Sequence, residues 1–333
     1  MAEMRKALIT GGAGFIGHHL IEHILKNTDL EIICLDRLDV SGNLNRLDEV
    51  ISQDNLYKKR FKFIYHDLRA EINSQLAKQI GNPDLIFHLA ASSHVDRSIQ
   101  DPMGFVMDNV VGTVNLLNYA RTIDNLEYLQ NFSTDEVFGD APEGTAYQEW
   151  DRHWPKNPYS ASKSGAEAMG TSFACTYGLP VITTNCMNVI GERQHPEKFL
   201  PMCIKRVLNG QRIYIHTYPG RQKAGTRFYI HARNVADASL FLTENGYKGE
   251  KYNLVGQKEV SNLELAEFVA KVLDKPLDYE MVDFHSNRPG HDLRYALEDT
   301  KLCAMGYEYP TEFWYSLEKT IKWTIENQRW LVE

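Results

Sequence analysis

Short apolar runs recur through the first half of the chain at 7–10, 32–36, 61–65, 85–89, 129–133 and 181–185, with helix-length segments between them. Strand-like and helix-like stretches in alternation predict a parallel sheet covered on both faces. Helices are expected over 14–26, 103–121 and 159–177. The second half is less regular and is punctuated by Pro180, Pro196, Pro201, Pro219, Pro276 and Pro289. It is expected to form a smaller lobe that closes over the carboxyl ends of the strands, where open α/β sheets bind ligands. No repeat, low-complexity tract or long linker is visible, so the lobes should be intimately joined.

The first strand runs into Gly11-Gly-Ala-Gly14-Phe-Ile-Gly17, which opens the first helix. In this context Gly11 permits the tight turn, Gly14 lets the backbone approach a pyrophosphate, and Gly17 lets the helix pack on the sheet. The helix N-terminus then offers unpaired N–H groups to the phosphates. Asp36 ends the second strand about 20 residues on, where a carboxylate accepts hydrogen bonds from an adenosine ribose. A carboxylate there repels a 2′-phosphate, which favours NAD over NADP, while the adjacent Arg37 could instead pair with that phosphate. Asp67 and Leu68, after the third strand, are candidates for contact with adenine, or an ordinary loop pair. The fold class is accordingly α/β, a Rossmann-like parallel sheet with helices on both faces plus a smaller C-terminal lobe. The expected division is 1–187 for NAD binding, with 228–256 returning to it, and 188–333 for the substrate.

Tyr159 and Lys163 lie four apart in the third expected helix and share a face. An ammonium beside a phenol favours the phenolate and makes it a usable base. Ser133 and Thr134, at the end of the fifth strand, complete a site for oxidising an alcohol to a ketone beside NAD. Hydride transfer needs no paired carboxylates, so Asp135-Glu136 require their own explanation. In an elimination one carboxylate removes a proton beside the new ketone and a second, protonated acid delivers one to the leaving hydroxyl. The two must hold different protonation states, which their surroundings can impose.

Composition narrows the picture. The chain has 333 residues, 43% of them hydrophobic, and a net charge of -8. That is enough for a full core, and the wrong sign for a nucleic-acid partner. The opening residues read as a buried strand rather than a signal peptide, and no stretch of about 20 apolar residues suggests a membrane span. A cytoplasmic protein is expected. Five cysteines (Cys34, Cys175, Cys186, Cys203 and Cys303) are widely spaced with no CxxC pair, as reduced thiols would be. His216 and His231 have no ligand cluster at metal-binding spacing, so no metal is expected.

With these residues in hand, the chain resembles the nucleotide-diphosphate-sugar 4,6-dehydratases of the extended short-chain dehydrogenase/reductase family, most closely the enzymes acting on dTDP-glucose. The motifs that carry the resemblance are GGAGFIG, LDRLDVSGNL, HLAASSHVDRSI, STDEVFGD, NPYSASK, HPEKFLP and RPGHDLRY. Related epimerases and decarboxylases usually have Ser-Glu where this chain has Asp135-Glu136. The resemblance implies NAD contacts at Gly11, Gly14, Phe15, Ile16, Gly17, Asp36, Arg37, Asp67, Leu68, Ala90, Ala91, Ser133, Tyr159 and Lys163. It also implies that Tyr159, aided by Lys163 and Thr134, takes the 4-hydroxyl proton while NAD takes the carbon-4 hydride. Glu136 would then remove the carbon-5 proton, Asp135 would protonate the departing 6-hydroxyl, and the hydride would return to carbon 6. Substrate contacts are implied at Ser92, His94, Asn188, Glu197, Lys198, Arg227, Asn253, Arg288 and Tyr295, with Asp96 in the same segment. Arginine suits a diphosphate because its planar fork donates paired charge-assisted bonds.

Three departures from the family pattern stand out. Asn188-Val-Ile-Gly-Glu192 replaces NNYGP, Phe138 replaces a tyrosine, and 213–234 is longer and carries Arg221, Lys223 and His231. These leave the base and the hexose open. The expected partner is dTDP-glucose or a related nucleotide hexose. Alternatives are a UDP-sugar dehydratase (including one for UDP-N-acetylhexosamine), a 4-epimerase, or a nonenzymatic NAD-binding sensor or scaffold. The helices at 103–121 and 159–177 carry the surface that pairs subunits in the family, which implies a homodimer.

Overall fold

A computed structural model describes residues 4–283 and 292–332. Strands β1 (Lys6–Thr10), β2 (Glu31–Asp36), β3 (Phe61–Tyr65), β4 (Leu85–His88), β5 (Tyr128–Thr134) and β6 (Val181–Cys186) join a seventh, Lys251–Leu254, in one sheet. Its order is β3-β2-β1-β4-β5-β6 and then Lys251–Leu254, and every neighbouring pair is parallel. All six apolar runs of the first half lie in this sheet.

Successive β-residues point to opposite faces, and both faces are covered. Ile9 on one side packs with Ile21 of helix α1 (Phe15–Asn27) and Val235 of the Ala232–Asn245 helix. Leu8 on the other packs with Leu116 and Phe173 from the Gly112–Ala120 and Pro158–Tyr177 helices. All seven residues of β5 are therefore buried, and its polar Gln130 and Asn131 donate inside, to the Thr184 and Ser239 hydroxyls and to the Ala166 carbonyl. The order reverses between β1 and β4, and the crevice this opens lies at the carboxyl ends of the strands.

The Pro158–Tyr177 helix begins at a capping box between Asn157 and Ser160, has proline in its first turn, and ends on Gly178 at φ 68°. Those end signals, legible in the sequence, fix where Tyr159 and Lys163 fall. The segment 103–121 differs from expectation. It is α-helical over Pro102–Val106 and Gly112–Ala120, but Met107–Val111 forms a π turn. The wider turn carries Asp108 and Asn109 against the loop after β4, a placement typical of π-bulges near functional sites.

The second lobe packs the Phe199–Leu208, Asn262–Leu273 and Phe313–Glu326 helices on a parallel strand pair, Ile213–Thr217 with Tyr279–Asp283. It has its own core, including Ile204, Ile215, Val269 and Leu317. Val189–Ile190 pairs with Ile230–His231 at the junction of the lobes. The unusual 213–234 segment turns back on itself through a Thr217–Ala224 bridge, with Arg221 at φ 58° in the turn. Lys223 there meets Glu143 at 2.8 Å on the surface. Neither Arg221 nor Lys223 lines the cleft described below.

Candidate active site

Gly11 has φ +73°, and a Cβ there would stand 2.6 Å from the Ala90 nitrogen. A Cβ on Gly17 would come within 2.3 Å of the Gly11 carbonyl oxygen. The turn therefore excludes side chains and presents bare backbone at the start of α1, a shape suited to a diphosphate. Asp36 accepts the Ala13 N–H at 3.0 Å and the Leu38 N–H at 2.8 Å. The Arg37 guanidinium is held by Asp108 at 2.6 and 2.7 Å, by Asp39 at 2.5 and 2.8 Å and by Asp67 at 3.5 Å. Three carboxylates answer its charge, which leaves an acidic surrounding unfavourable to a 2′-phosphate. Gly11, Gly14, Asp36, Arg37, Asp67, Leu68, Ala90 and Ala91 line one cavity. An adjoining one shares Gly11, Gly14 and Ala91 and adds Phe15, Ile16, Gly17, Ser133, Thr134, Tyr159 and Lys163. Every residue expected to touch the cofactor thus faces one continuous cleft, whose shape and chemistry fit a dinucleotide.

Thr134 ends β5, and Asp135–Phe138 follow as a 3-10 turn. The Thr134 hydroxyl donates to Asp135 Oδ1 at 2.9 Å and shares a hydrogen bond with the Tyr159 phenol. Burial and then the Glu136 charge push the Asp135 carboxyl up to about 7. Its Oδ2 is buried with no hydrogen-bond partner among the described residues. Burial also raises Glu136, opposed first by the Arg227 guanidinium. Glu136 Oε2 accepts long bonds from Asn157 at 3.4 Å and from the Tyr295 hydroxyl at 3.5 Å. Adjacent acids in unlike fields, one of them half-protonated near neutrality, are suited to an acid and base pair.

One expectation is corrected. Burial first, and then Glu136, raise the Tyr159 phenol well above its ordinary value. Lys163 is not among the groups that offset this; one of its three N–H donors goes to the Phe132 carbonyl at 2.5 Å, and its own pKa is lowered by burial to about 8.

A third cavity shares Glu136, Asn188 and Lys198 with the second and brings in His94, Asp96, Glu197, Arg227 and Tyr295. Arg227 lies over the Tyr295 ring at 4.7 Å and donates to the carbonyls of Thr226, Asp292 and Leu293 at 2.6–2.7 Å. Asn188 Oδ1 is buried without a partner among the described residues. Glu197 is gripped by Arg97 through two bonds of 2.9 Å and lies 3.5 Å from His94.

Two expected substrate residues are elsewhere. Ser92 donates to Asp108 at 2.6 Å and its backbone is clasped by Asn109, so it braces the cofactor side of the loop. Asn253 is fully buried in the seventh strand, donating to the Tyr147 and Glu298 carbonyls at 3.1 and 3.0 Å. Arg288 lies outside the described residues.

Asp108 and Asn109 were not anticipated. Asn109 also donates to Ser162 of the Tyr159 helix at 2.8 Å, tying the loop after β4 to that helix. Their signal was a π turn, which no helical periodicity contains. Two of the family departures also meet: Glu192 Oε2 lies 3.4 Å from His231 Nε2 and is paired with Arg233. His231 Nδ1 accepts the Arg233 N–H at 3.1 Å, so the ring is neutral with its proton on Nε2.

Among the described residues no group of three or more His, Cys, Asp or Glu side chains could hold a metal, and no helix is long and apolar enough to cross a membrane. All five cysteines are free thiols.

Comparison with known proteins agrees with this geometry. The model of the GDP-mannose 4,6-dehydratase family matches residues 8–320. The dTDP-glucose 4,6-dehydratase of Salmonella typhimurium is 36% identical over 98% of this chain and 94% of its own length. That of Neisseria meningitidis is 37% identical over 98% and 95%. The structure of DesIV, a dTDP-glucose 4,6-dehydratase from Streptomyces venezuelae with NAD bound, superposes with a TM-score of 0.88, at 33% identity over 98% of this chain and 99% of that one. The chain belongs to the nucleotide-sugar 4,6-dehydratase family.

Proposed function

We propose that the chain is an NAD-dependent hydro-lyase that converts dTDP-glucose, or a closely related nucleotide hexose, to the 4-keto-6-deoxy sugar. The observation that carries this reading is the meeting of Asp135 and Glu136 with Thr134 and Tyr159 in the cleft that begins at the glycine turn. A 4-epimerase needs the hydroxyl, phenol and cofactor but has no use for a second buried acid.

Bound along the cleft, NAD supplies an acceptor for the carbon-4 hydride and a donor to carbon 6. Gly11, Gly14 and Gly17 would admit its diphosphate, and Asp36 would hold the adenosine ribose. Tyr159, hydrogen-bonded to Thr134, removes the proton of the 4-hydroxyl. The positive charge that NAD would bring to the cleft would favour its phenolate against the burial that raises it, while Lys163 holds the Phe132 carbonyl beside it. Glu136 removes the carbon-5 proton, which the carbon-4 ketone acidifies, and as a protonated acid gives a proton back to carbon 5 when hydride reaches carbon 6. Asp135, poised near neutrality, gives its proton to the 6-hydroxyl, which leaves as water. Lys198, Arg227 and Asn188 face the nucleotide diphosphate. We assign the protein to the cytoplasm as a homodimer. Buried reduced thiols at Cys34, Cys186 and Cys203 support a reducing compartment. Exposed Ile99, Met103 and Val106 beside the Pro158–Tyr177 helix support a subunit contact.

dTDP-glucose carrying deuterium at carbon 4 tests the reading. The label should be recovered at carbon 6 of a dehydrated product; label retained at carbon 4 of an epimerised sugar would overturn it. Asp36→Ala is expected to weaken NAD binding about 10-fold through loss of charge-assisted bonds, read by titration. Unchanged affinity would move the ribose contact elsewhere.

A further inference from the structure

Arg46, on helix α2 (Leu44–Ile51), is a buried cation that forms no ion pair among the described residues, the Asp36 carboxylate acting on it only from beyond contact. Its relative exposure is 3%. Nη1 donates to the carbonyls of Ser41 at 2.6 Å and Ala13 at 3.2 Å, and Nε donates to the carbonyl of Arg193 at 3.0 Å. Nη2 has no hydrogen-bond partner among the described residues, and no carboxylate among them forms an ion pair with Arg46. The nearby Arg193 adds a like charge and is itself taken up by Glu49. Trp330 covers the guanidinium from 5.5 Å.

A buried charge with no carboxylate in contact is unfavourable, even with carbonyl dipoles, an indole face and the more distant Asp36 around it, and such groups are normally paired or meet a ligand. Arg46 lines the same cavity as Gly11, Gly14, Phe15 and Ser41. Gly14 caps the 13-residue helix α1 and makes no side-chain capping bond, so the first N–H groups of that helix are also left for an anion. A guanidinium and a helix N-terminus therefore converge on one stretch of the cleft. The three carbonyls that Arg46 holds belong to the glycine turn, the loop after β2 and the turn of the second lobe, which are the walls of that stretch.

We propose that Arg46 is a cofactor-binding residue whose guanidinium meets the diphosphate of the dinucleotide at the glycine turn. The assignment rests on the NAD-dependent reading above. Burial and Arg193 lower its pKa to about 10, which leaves it charged near neutral pH. An anion is then the group that completes its surroundings.

Displacement of fluorescent etheno-NAD from the protein by NAD, ADP and adenosine tests this. Arg46→Met keeps the apolar stem beneath Trp330 and removes the charge. NAD and ADP should then bind about 10- to 100-fold more weakly, the range for a lost charge-assisted bond, while adenosine, which has no phosphate, changes by less than about 2-fold. Unchanged ADP affinity, or equal losses for ADP and adenosine, would overturn the proposal, the second because it reports a loosened loop. Arg46→Lys and Arg46→Gln provide a second comparison should Arg46→Met not fold: Lys should hold ADP more tightly than Gln, and equal affinities would be contradictory. A wild-type protein that does not bind etheno-NAD removes the NAD-dependent reading and this proposal together. Wild-type binding with an unaltered variant removes only the proposal.

Discussion

Glu136→Gln is expected to permit oxidation at carbon 4 and to stop the reaction there, with reduced cofactor accumulating as substrate is added. An amide of the same shape keeps contacts with Asn157 and Tyr295 but cannot take the carbon-5 proton. Removing a positioned general base costs about 10²–10⁴-fold in turnover. Rapid-quench analysis of the sugar, alongside the absorbance of the reduced nicotinamide, reads both halves of the claim. Unchanged turnover would remove Glu136 from the chemistry. Asp135 must be protonated to act as the acid, and its pKa stands at about 7. The wild-type rate should therefore fall as pH rises through that value, a limb that Asp135→Asn should lose along with most activity.

The second large effect is on stability in mild acid. His19 is buried with Nε2 donating to the Glu192 carbonyl at 3.1 Å, and His88 is buried between Thr10 at 2.7 Å and Thr113 at 2.9 Å. Burial dominates at both and lowers each pKa to about 3. In the unfolded chain each takes up a proton near its ordinary value of about 6.5. Between those limits the unfolded state holds more protons, so stability is full above about 6.5 and is lost as the pH falls toward 3. Each histidine contributes a slope of about 1.4 kcal/mol per pH unit within the window. Together they remove about 2–3 kcal/mol between pH 6 and 5, a large share of a typical total of about 5–15 kcal/mol. Urea midpoints measured from pH 7.5 to pH 5, with an unchanged denaturant slope, should fall accordingly. A flat profile over that range would mean that neither imidazole is held neutral.

What the sequence disclosed and what it hid divide along physical lines. Six strands, the glycine turn and the Tyr159 helix follow from local signals: apolar runs, missing Cβ atoms, and a cap of Asn157, Pro158 and Gly178. Such signals survive folding because the sheet reinforces them. The π turn at Met107–Val111 is a different case, since its extra residue is stabilised by Asn109 reaching Ser92 and Ser162 from afar. Ser92 and Asn253 belong to the right motifs, yet spacing does not reveal which way a loop hydroxyl or a strand amide turns. Arg46 reads as an ordinary surface residue of a short helix until the second lobe and Trp330 cover it. Glu192 and His231 look like unrelated departures because their contact spans the junction of the two lobes. Lys163 shows the remaining limit: helical spacing places it one turn from Tyr159, but does not reveal that its ammonium meets the Phe132 carbonyl.

The central claim is dehydration of a nucleotide sugar, and mass spectrometry of the protein incubated with dTDP-, UDP-, GDP- and CDP-hexoses, N-acetylated ones included, tests it most directly. The account predicts loss of one water from dTDP-glucose, or from one close relative of it, with the cofactor unchanged at the end. A product of unaltered mass and inverted configuration at carbon 4, or no conversion of any member by protein that carries NAD, would contradict it.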